Sequence, residues 1–264
     1  MNYILIIIIL LIANFIYDKY ESSKYVIHRG LNIKAFEKYT IDYFNKIYGE
    51  TYIYITYSPP SAVDTDTKFK KVKFKKYIDK YMSKKYWYFK TEDYYNFLKD
   101  IGLYKNVCKE FSKIFPHPLA LQNDTSFWLG GKGSTTGYHT DREDVSYLYV
   151  LSGRKTVKII NPKFTKFMYP KNKYYYGASW SKINFKNVDY EKFPLFKKVI
   201  VEEIILNAGD CIVIPRNWWH AVENMEDTLA ISYKIFRPYY CFVLFPLSEL
   251  KHLSQTNLYF SKAK

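Results

Sequence analysis

The chain contains little cysteine. Its three cysteines, Cys108, Cys211 and Cys241, form no CxxC pair and have no metal-ligand spacing. An odd and sparse set of thiols argues against a disulfide framework and is typical of proteins from a reducing compartment. At 264 residues, the chain is expected to form one domain with extensions, or at most two small domains.

Arginine is also scarce: only five of the 40 basic residues are arginine. The net charge is nevertheless +15. A protein that reads bases would use more arginine, since the guanidinium group pairs with guanine through two parallel hydrogen bonds. The charge itself is compatible with an anionic partner. Lysine, isoleucine, tyrosine, asparagine and phenylalanine dominate the composition, as an AT-rich coding bias would produce, and we favour that explanation.

The only long uncharged run is residues 1–17. Its length is at the short end of a membrane-spanning helix, which needs roughly 17–25 residues. It is longer than a typical signal-peptide core, and no small-x-small cleavage pattern follows it. We therefore expect a single-pass membrane anchor, with a cleaved signal or a buried strand or helix as alternatives. Lysines follow the run and none precedes it, which would keep the body in the cytosol.

Residues 68–85 hold nine lysines and one aspartate, interleaved with aromatic residues. This mixture is used by surfaces that bind single-stranded nucleic acid. It would also suit attraction to anionic lipid near a membrane anchor. A solvated helix in a lysine- and tyrosine-rich chain has the same composition, and we favour that interpretation. A second, amphipathic helix is predicted to begin at Thr91 and to end at Gly102.

From about residue 119 onwards, short β-type runs alternate with turns, and no internal repeat is present. This texture predicts a β-sandwich or barrel. The domain organisation predicted from it is a mixed α/β extension at 18–118, a barrel core at 119–237 with an irregular insertion at 161–198, and a C-terminal extension at 238–264. The clearest predicted strands are residues 126–130, 146–151, 156–160, 199–206, 211–214 and 228–236.

His139, Asp141 and His220 are the candidate metal ligands. His139 and Asp141 alternate, so on a strand they would point to the same face, while His220 lies 79 residues after Asp141. Two imidazoles and one carboxylate on one side of an octahedron hold Fe(II) and leave positions open for other reactants. A histidine and an aspartate at this spacing are common by chance, but the surrounding glycines and the run from Ile214 to His220 strengthen the prediction.

Residues 119–237 resemble the JmjC/cupin-8 family of Fe(II)- and 2-oxoglutarate-dependent oxygenases, in its group of small JmjC hydroxylases. The resemblance implies a mainly β double-stranded β-helix, which is a jelly-roll or cupin barrel. It rests on Trp128-Leu-Gly130, Thr136-x-x-His139-x-Asp141, Gly153-x-Lys155, Asn161-Pro162, Ala208-Gly-Asp210 and Ile214-Pro-x-x-Trp-Trp-His220.

The resemblance also implies roles for individual residues. His139, Asp141 and His220 would hold iron, and Lys155 and Thr136 would bind the distal carboxylate of 2-oxoglutarate. Ser146 and Ser232 would also contribute to co-substrate binding. They stand where many members of the family carry asparagine, and a serine hydroxyl reaches less far, which puts the co-substrate affinity in question.

The reaction implied by the resemblance is hydroxylation, with ascorbate as reductant and a protein side chain as the first choice of substrate. Lysine demethylation and RNA hydroxylation are lesser alternatives. A different class of function is a membrane-anchored binding protein of the same fold with impaired catalysis. A cupin isomerase is disfavoured, because such cupins usually offer more histidine ligands. The sequence leaves the oligomeric state open.

Overall fold

The computed structural model describes residues 24–60, 68–90, 97–117, 120, 122–171 and 178–236, together with a few single residues between 5 and 16. The described chain is mainly β and contains one sheet of eight strands and one of five strands. All strand pairs are antiparallel. Two antiparallel sheets of this kind are consistent with the predicted jelly-roll or cupin fold.

The larger sheet has the strand order β1-β11-β7-β13-β5-β4-β2-β3. Its strands are β1 (Val26–His28), β2 (Tyr52–Tyr57), β3 (Lys68–Lys73), β4 (Trp87–Lys90), β5 (Gln122–Gly130), β7 (Val145–Ser152), β11 (Cys211–Pro215) and β13 (Thr228–Phe236). The smaller sheet has the order β10-β8-β12-β6-β9. Its strands are β6 (Thr135–Thr140), β8 (Arg154–Ile160), β9 (Ser179–Trp180), β10 (Glu202–Asn207) and β12 (Trp219–Asn224).

Four short α-helices pack on the outer face of the larger sheet. They are α1 (Ile41–Tyr48), α2 (Phe74–Lys80), α3 (Phe97–Asp100) and α4 (Tyr104–Ile114). The contact between helices and sheet is mostly aromatic: the ring centroids of Phe44 and Phe127 are 4.8 Å apart, and those of Phe111 and Tyr233 are 5.1 Å apart. Aromatic pairs at these distances add to the free energy gained by burying the rings.

The described parts of the segment that the sequence predicts as an insertion, residues 161–171 and 178–198, pack against the outer face of the smaller sheet. This segment contains two short 3-10 helices, Pro162–Phe167 and Pro194–Lys198. Phe185, Phe193 and Phe196 from the segment form one buried cluster with Tyr138 and Trp219 from the sheet. The insertion therefore buries this part of the outer face, while Glu203 and Ile205 on the outer face of β10 remain exposed.

The space between the two sheets is partly filled by an apolar cluster. Val150 on β7 and Ile212 on β11 pack there with Val157 on β8 and Ile204 on β10. Alternation along β8 and β12 then places Lys155, His220 and Asn224 on the same inward face. The core holds the sheets together and leaves a polar region between them.

Several strands predicted from the sequence are confirmed, with small shifts at their ends. The predicted strand at 199–206 begins only at Glu202, because the 3-10 helix Pro194–Lys198 precedes it. The lysine-rich residues 68–85 do not form one helix, since the first six are strand β3. Of the helix predicted from Thr91, residues 91–96 lie outside the described residues, and Gly102 follows α3 with a φ of +73°.

The prediction of a single-pass membrane anchor at residues 1–17, with a cytosolic body, is wrong. A spanning helix needs about 20 consecutive apolar residues. Within the part of the chain that the structure describes, no helix is both long enough and apolar enough to cross a membrane. Most of residues 1–17, and all of the predicted extension 238–264, lie outside the described residues.

Candidate metal centre

A β-bulge on β6 determines which of its side chains face the space between the sheets. His139 pairs with His220 on β12, and Thr136 pairs with Val222, so β6 advances three residues where β12 advances two. The extra residue lets Thr136 and His139 both face inward in spite of their odd spacing. Tyr138, between them, points to the opposite face and joins the aromatic cluster under the insertion.

The structure brings the three predicted metal ligands together. His139 lies on β6 and Asp141 follows the last residue of that strand, so one short stretch of chain carries two of the candidate ligands. The Nε2 atom of His139 lies 3.5 Å from Asp141 Oδ1, and the Nε2 atom of His220 lies 3.8 Å from Asp141 Oδ2. One ligand atom from each of the three residues lies within 4.8 Å of the others.

Backbone carbonyls orient both imidazoles. The Nδ1 atom of His139 is 2.8 Å from the carbonyl oxygen of Gly137, and Nδ1 of His220 is 3.1 Å from that of Trp218. A carbonyl oxygen can only accept, so Nδ1 carries the proton in each ring and Nε2 keeps its lone pair. Both lone pairs are thus available beside the Asp141 carboxylate, which is the tautomer that a metal ligand needs.

Two tryptophans flank the histidines in different ways. Trp180 on β9 stacks on the His139 ring, with centroids 4.6 Å apart and planes 14° apart. Trp219 is fully buried on the outer face of β12, and its Nε1 atom donates to Thr165 Oγ1 at 3.0 Å. His220 follows Trp219 on strand β12.

Electrostatics favour an ionised carboxylate at Asp141. Burial opposes its ionisation, but electrostatic interactions with His220, Lys234 and His139 outweigh burial and hold the pKa of Asp141 below its usual range. Ser146 on β7 also contributes to the lowered pKa. The Ser146 hydroxyl is buried and makes no hydrogen bond of normal geometry, although it is close enough to influence Asp141.

Lys155 on β8 is a buried cation with a neutral partner. Its side chain is 5% exposed, and Nζ donates to Asn224 Oδ1 at 2.6 Å. Burial lowers the pKa of Lys155 to about 7. Among the described residues, no carboxylate forms an ion pair with it. A buried ammonium group without an acid is costly, so this position is suited to an external anion.

Asn224 is a site residue that the sequence analysis missed. Besides accepting from Lys155, it donates from Nδ2 to the carbonyl oxygen of Gly130 at 2.9 Å. A usable signal was present, because Asn224 lies four residues after His220, which is an even spacing and so the same face of a strand. Using this signal required knowing that His220 and Asn224 lie on the same strand.

The three predicted hydroxyl donors lie on both sheets. Thr136 on the smaller sheet is 3.3 Å, Oγ1 to Oη, from Tyr88 on β4. Ser232 on β13 accepts a hydrogen bond from Trp128 Nε1 at 2.9 Å, so its own hydroxyl hydrogen remains available for donation. With Ser146 on β7, these residues border the region between the sheets, although the structure does not bring them into contact with one another.

The residues present fit the two groups that the resemblance implies. Two imidazole nitrogens and a carboxylate are the donor set of a facial Fe(II) site. The buried Lys155 ammonium fits a carboxylate that enters from outside, such as the distal carboxylate of 2-oxoglutarate.

Several known proteins are similar to this chain. The chain is 29% identical over 159 residues to HSPB1-associated protein 1 of Rattus norvegicus, covering 58% of this chain and 32% of that protein. It is 37% identical over 106 residues to JmjC domain-containing protein D of Dictyostelium discoideum, covering 39% of this chain and 23% of that protein. It is 25% identical over 237 residues to tRNA wybutosine-synthesizing protein 5 of Gallus gallus, covering 83% and 72%.

The chain spans about a third or less of the length of the first two relatives. The model of the cupin-like domain family matches residues 21–236, which is most of the chain and nearly all of its described part. The resemblance to JmjC and cupin-like proteins is therefore confirmed, and the chain belongs to the cupin-like domain family, which includes Fe(II)- and 2-oxoglutarate-dependent oxygenases.

Proposed function

We propose that this protein is an Fe(II)- and 2-oxoglutarate-dependent dioxygenase that hydroxylates a protein side chain. The observation that carries the proposal is the convergence of His139, Asp141 and His220 within 4.8 Å, with a buried lysine that lacks an acid partner on the neighbouring strand. A purely structural metal site would have no use for such a lysine.

Each residue has a specific role in this proposal. His139, Asp141 and His220 hold the iron on one side, with their rings fixed by backbone carbonyls. Lys155 pairs with the distal carboxylate of 2-oxoglutarate, and Thr136 donates to the same group. Ser146 and Ser232 supply further hydroxyl donors from the larger sheet. With iron, 2-oxoglutarate and dioxygen bound, the centre would supply oxidative decarboxylation of 2-oxoglutarate to succinate and CO₂, with one atom of dioxygen entering succinate and the other the hydroxylated C–H bond.

The chain itself contributes orientation and exclusion of water. The insertion packs against the outer face of the smaller sheet, and the apolar cluster around Val157 and Ile212 fills part of the space between the sheets. Fixed donors in a dry region hold a charged co-substrate more strongly than water does. Ascorbate is the reductant expected to keep the iron ferrous during turnover.

A protein side chain is the substrate class favoured by the resemblance to small JmjC hydroxylases. The name of HSPB1-associated protein 1 links that relative to another protein, which agrees with a protein partner for this chain. Lysine demethylation and RNA hydroxylation are the alternatives within the same chemistry. A binding protein with impaired catalysis is the alternative outside it, and the serines at 146 and 232 are the feature that favours it.

Uncoupled turnover tests the proposal directly. The full chain is supplied with Fe(II), ascorbate and 2-oxoglutarate, and succinate is measured without an added substrate. We expect succinate from the wild type and none from His139→Ala. His28→Ala is the matched control, because His28 lies on β1 beside Phe115 and away from the site. Absence of succinate together with absence of bound iron in the wild type would instead support the binding protein.

A further inference from the structure

One end of the larger sheet carries an exposed aromatic and basic surface. Along β2 and β3 the side chains alternate between the two faces. Ile53, Ile55 and Val72 face the helices and are buried in the main core. On the other face, Tyr52 is 55% exposed, Tyr54 41% and Phe69 63%. These three rings and the exposed Lys71 are called the platform below.

The platform is continuous with the inner face that lines the site. Thr56 pairs with Tyr88 on β4 and with Phe69 on β3, so the three side chains share one face in successive strands. Tyr88 is buried and lies beside Thr136, a proposed co-substrate residue. Since neighbouring strands are about 4.8 Å apart, Phe69 lies roughly 10 Å from Tyr88 across the sheet.

Lysine places positive charge directly on the rings. Lys71 Nζ is 5.3 Å from the centroid of the Tyr52 ring and 5.6 Å from that of Tyr54. Its ammonium group is thereby held at the surface by two cation–π contacts. Lys73, on the same face, already pairs with Glu50. Lys71 is therefore the cation of this face that is presented to an incoming anion.

Strand β3 also offers its main chain. It is the terminal strand of the eight-stranded order among the described residues and pairs there only with β2. An extended peptide can add to such an edge through main-chain hydrogen bonds, while its alternate side chains contact the face of the sheet. Lysines on an edge strand discourage pairing with uncharged strands, since their charge would be left without a partner. An acidic peptide strand would neutralise that charge, so β3 favours an acidic partner strand.

We propose that the platform docks an extended acidic segment of the protein substrate beside β3 and leads a neighbouring part of it to the metal centre. This inference rests on the proposed function for the identity of the substrate. A single-stranded nucleic acid fits less well. Bases stack on open ring faces, and Lys71 lies over both tyrosine rings. A carboxylate can bind the ammonium group without displacing it.

Binding is tested without catalysis, so that its result is independent of oxygenase activity. The full chain, without iron or 2-oxoglutarate, is titrated into a fluorescein-labelled peptide of alternating glutamate and valine, and anisotropy is measured. The same peptide with glutamine in place of glutamate, and an oligouridylate of equal charge, are the comparison probes. The test variant is Lys71→Gln. Its matched control is Lys70→Gln, the adjacent lysine, which faces the other side of β3 over Tyr81.

We expect the acidic peptide to bind and the glutamine peptide to bind much more weakly. Lys71→Gln should weaken binding by about three- to fivefold, as expected for one exposed ion pair, and Lys70→Gln by less than about twofold. Blocking alternate amides of the peptide by N-methylation should weaken binding further. Equal losses in the two lysine variants, no binding of the acidic peptide, or tighter binding of oligouridylate with the same dependence on Lys71 would each overturn the proposal.

Discussion

Lys155 and Asn224 form a buried pair in which a cation is held by a neutral amide, with Nζ 2.6 Å from Oδ1. The same amide donates to Gly130 on the larger sheet, so Asn224 connects the lysine to both sheets. An amide satisfies one donor of the ammonium group but does not neutralise its charge. The pair thus fixes where the cation lies while leaving it able to bind a carboxylate.

Replacing the Asn224 amide with a carboxylate should give Lys155 a permanent acidic partner inside the protein. Asn224→Asp has nearly the same shape but would form an internal ion pair with Lys155. We expect the affinity for 2-oxoglutarate, measured by calorimetry on the Mn(II)-loaded protein, to fall by about tenfold or more, since the co-substrate must compete with a resident carboxylate. Thermal stability should fall by less than in a variant that also leaves Lys155 unpaired, because the new ion pair is charge-neutral although the Gly130 carbonyl oxygen loses its donor.

Asn224→Ala provides the contrast for this experiment. It leaves both the Lys155 ammonium group and the Gly130 carbonyl without a partner, which should destabilise the fold by about 2–3 kcal/mol. Urea unfolding would measure that loss. If Asn224→Asp bound 2-oxoglutarate as tightly as the wild type, Lys155 would not be the group that receives the distal carboxylate.

Co-substrate binding should depend on pH through Lys155. Burial lowers its pKa to about 7 from an ordinary value of 10.5, so much of it is neutral above pH 7 in the free protein. A bound carboxylate favours the charged form and raises the pKa, so binding takes up a proton. Above about pH 7 we expect the affinity for 2-oxoglutarate to fall with rising pH, by at most about tenfold per pH unit.

Calorimetry in buffers of different ionisation enthalpy would detect the proton uptake at alkaline pH. Lys155→Met should remove both the uptake and the pH dependence, at much lower affinity. The same shift affects stability with a defined sign: between the folded pKa and the higher unfolded pKa, the unfolded chain binds more protons. The Lys155 contribution to unfolding free energy should therefore rise with pH across that window. A pH-independent affinity in the wild type would contradict this account.

Local patterns in the sequence predicted much of the fold and the three residues that converge at the candidate site. The run at 228–236 predicts β13 with the same bounds, because a short and mainly apolar run is typical of a strand that is buried on both faces, as β13 is. His139, Asp141 and His220 were identifiable because a metal ligand needs a particular donor atom, which few residue types provide.

Features that depend on cross-strand register were not predictable. Trp180 reaches His139 only because β9 pairs with β6. The two residues are 41 positions apart, and the insertion that contains Trp180 has no sequence pattern typical of a strand. The bulge on β6 shifts Thr136 and His139 onto one face, and nothing in the local sequence reports it. Such contacts are fixed by the joint packing of several strands, which a single segment does not encode.

Trp180 should affect metal binding without contacting the metal. Its ring stacks on His139 and is 7% exposed, so it restricts the motion of the imidazole. We expect Trp180→Ala to weaken Co(II) binding by about tenfold, as removal of groups that orient ligands usually does. Trp180→Phe retains a ring in the stack and should lose less than about threefold. A folded Trp180→Ala protein with wild-type Co(II) affinity would refute this positioning role.

The turn before Lys155 contains Gly153. Comparing Gly153 with Gly30, which has a similar φ, separates the effect of close packing at the turn from the strain of the backbone conformation. Gly153 has a φ of +79°, and an added Cβ would lie 2.2 Å from the carbonyl oxygen of Asp227, whereas Gly30 has a φ of +61° and nothing within 4 Å. Gly30→Ala should cost only the strain of the left-handed region, about 1–2 kcal/mol. Gly153→Ala adds a backbone clash of about 1–3 kcal/mol and displaces the start of β8.

Urea unfolding of both variants, with 2-oxoglutarate binding measured beside it, separates the two effects. Because Lys155 lies two residues after Gly153 on β8, displacement of the turn should lower the affinity for 2-oxoglutarate as well as the stability. Gly30→Ala, which alters a turn beside β1, should lower stability alone. Equal destabilisation by the two substitutions, or unchanged co-substrate affinity in a destabilised Gly153→Ala protein, would show that the turn does not set the position of the lysine.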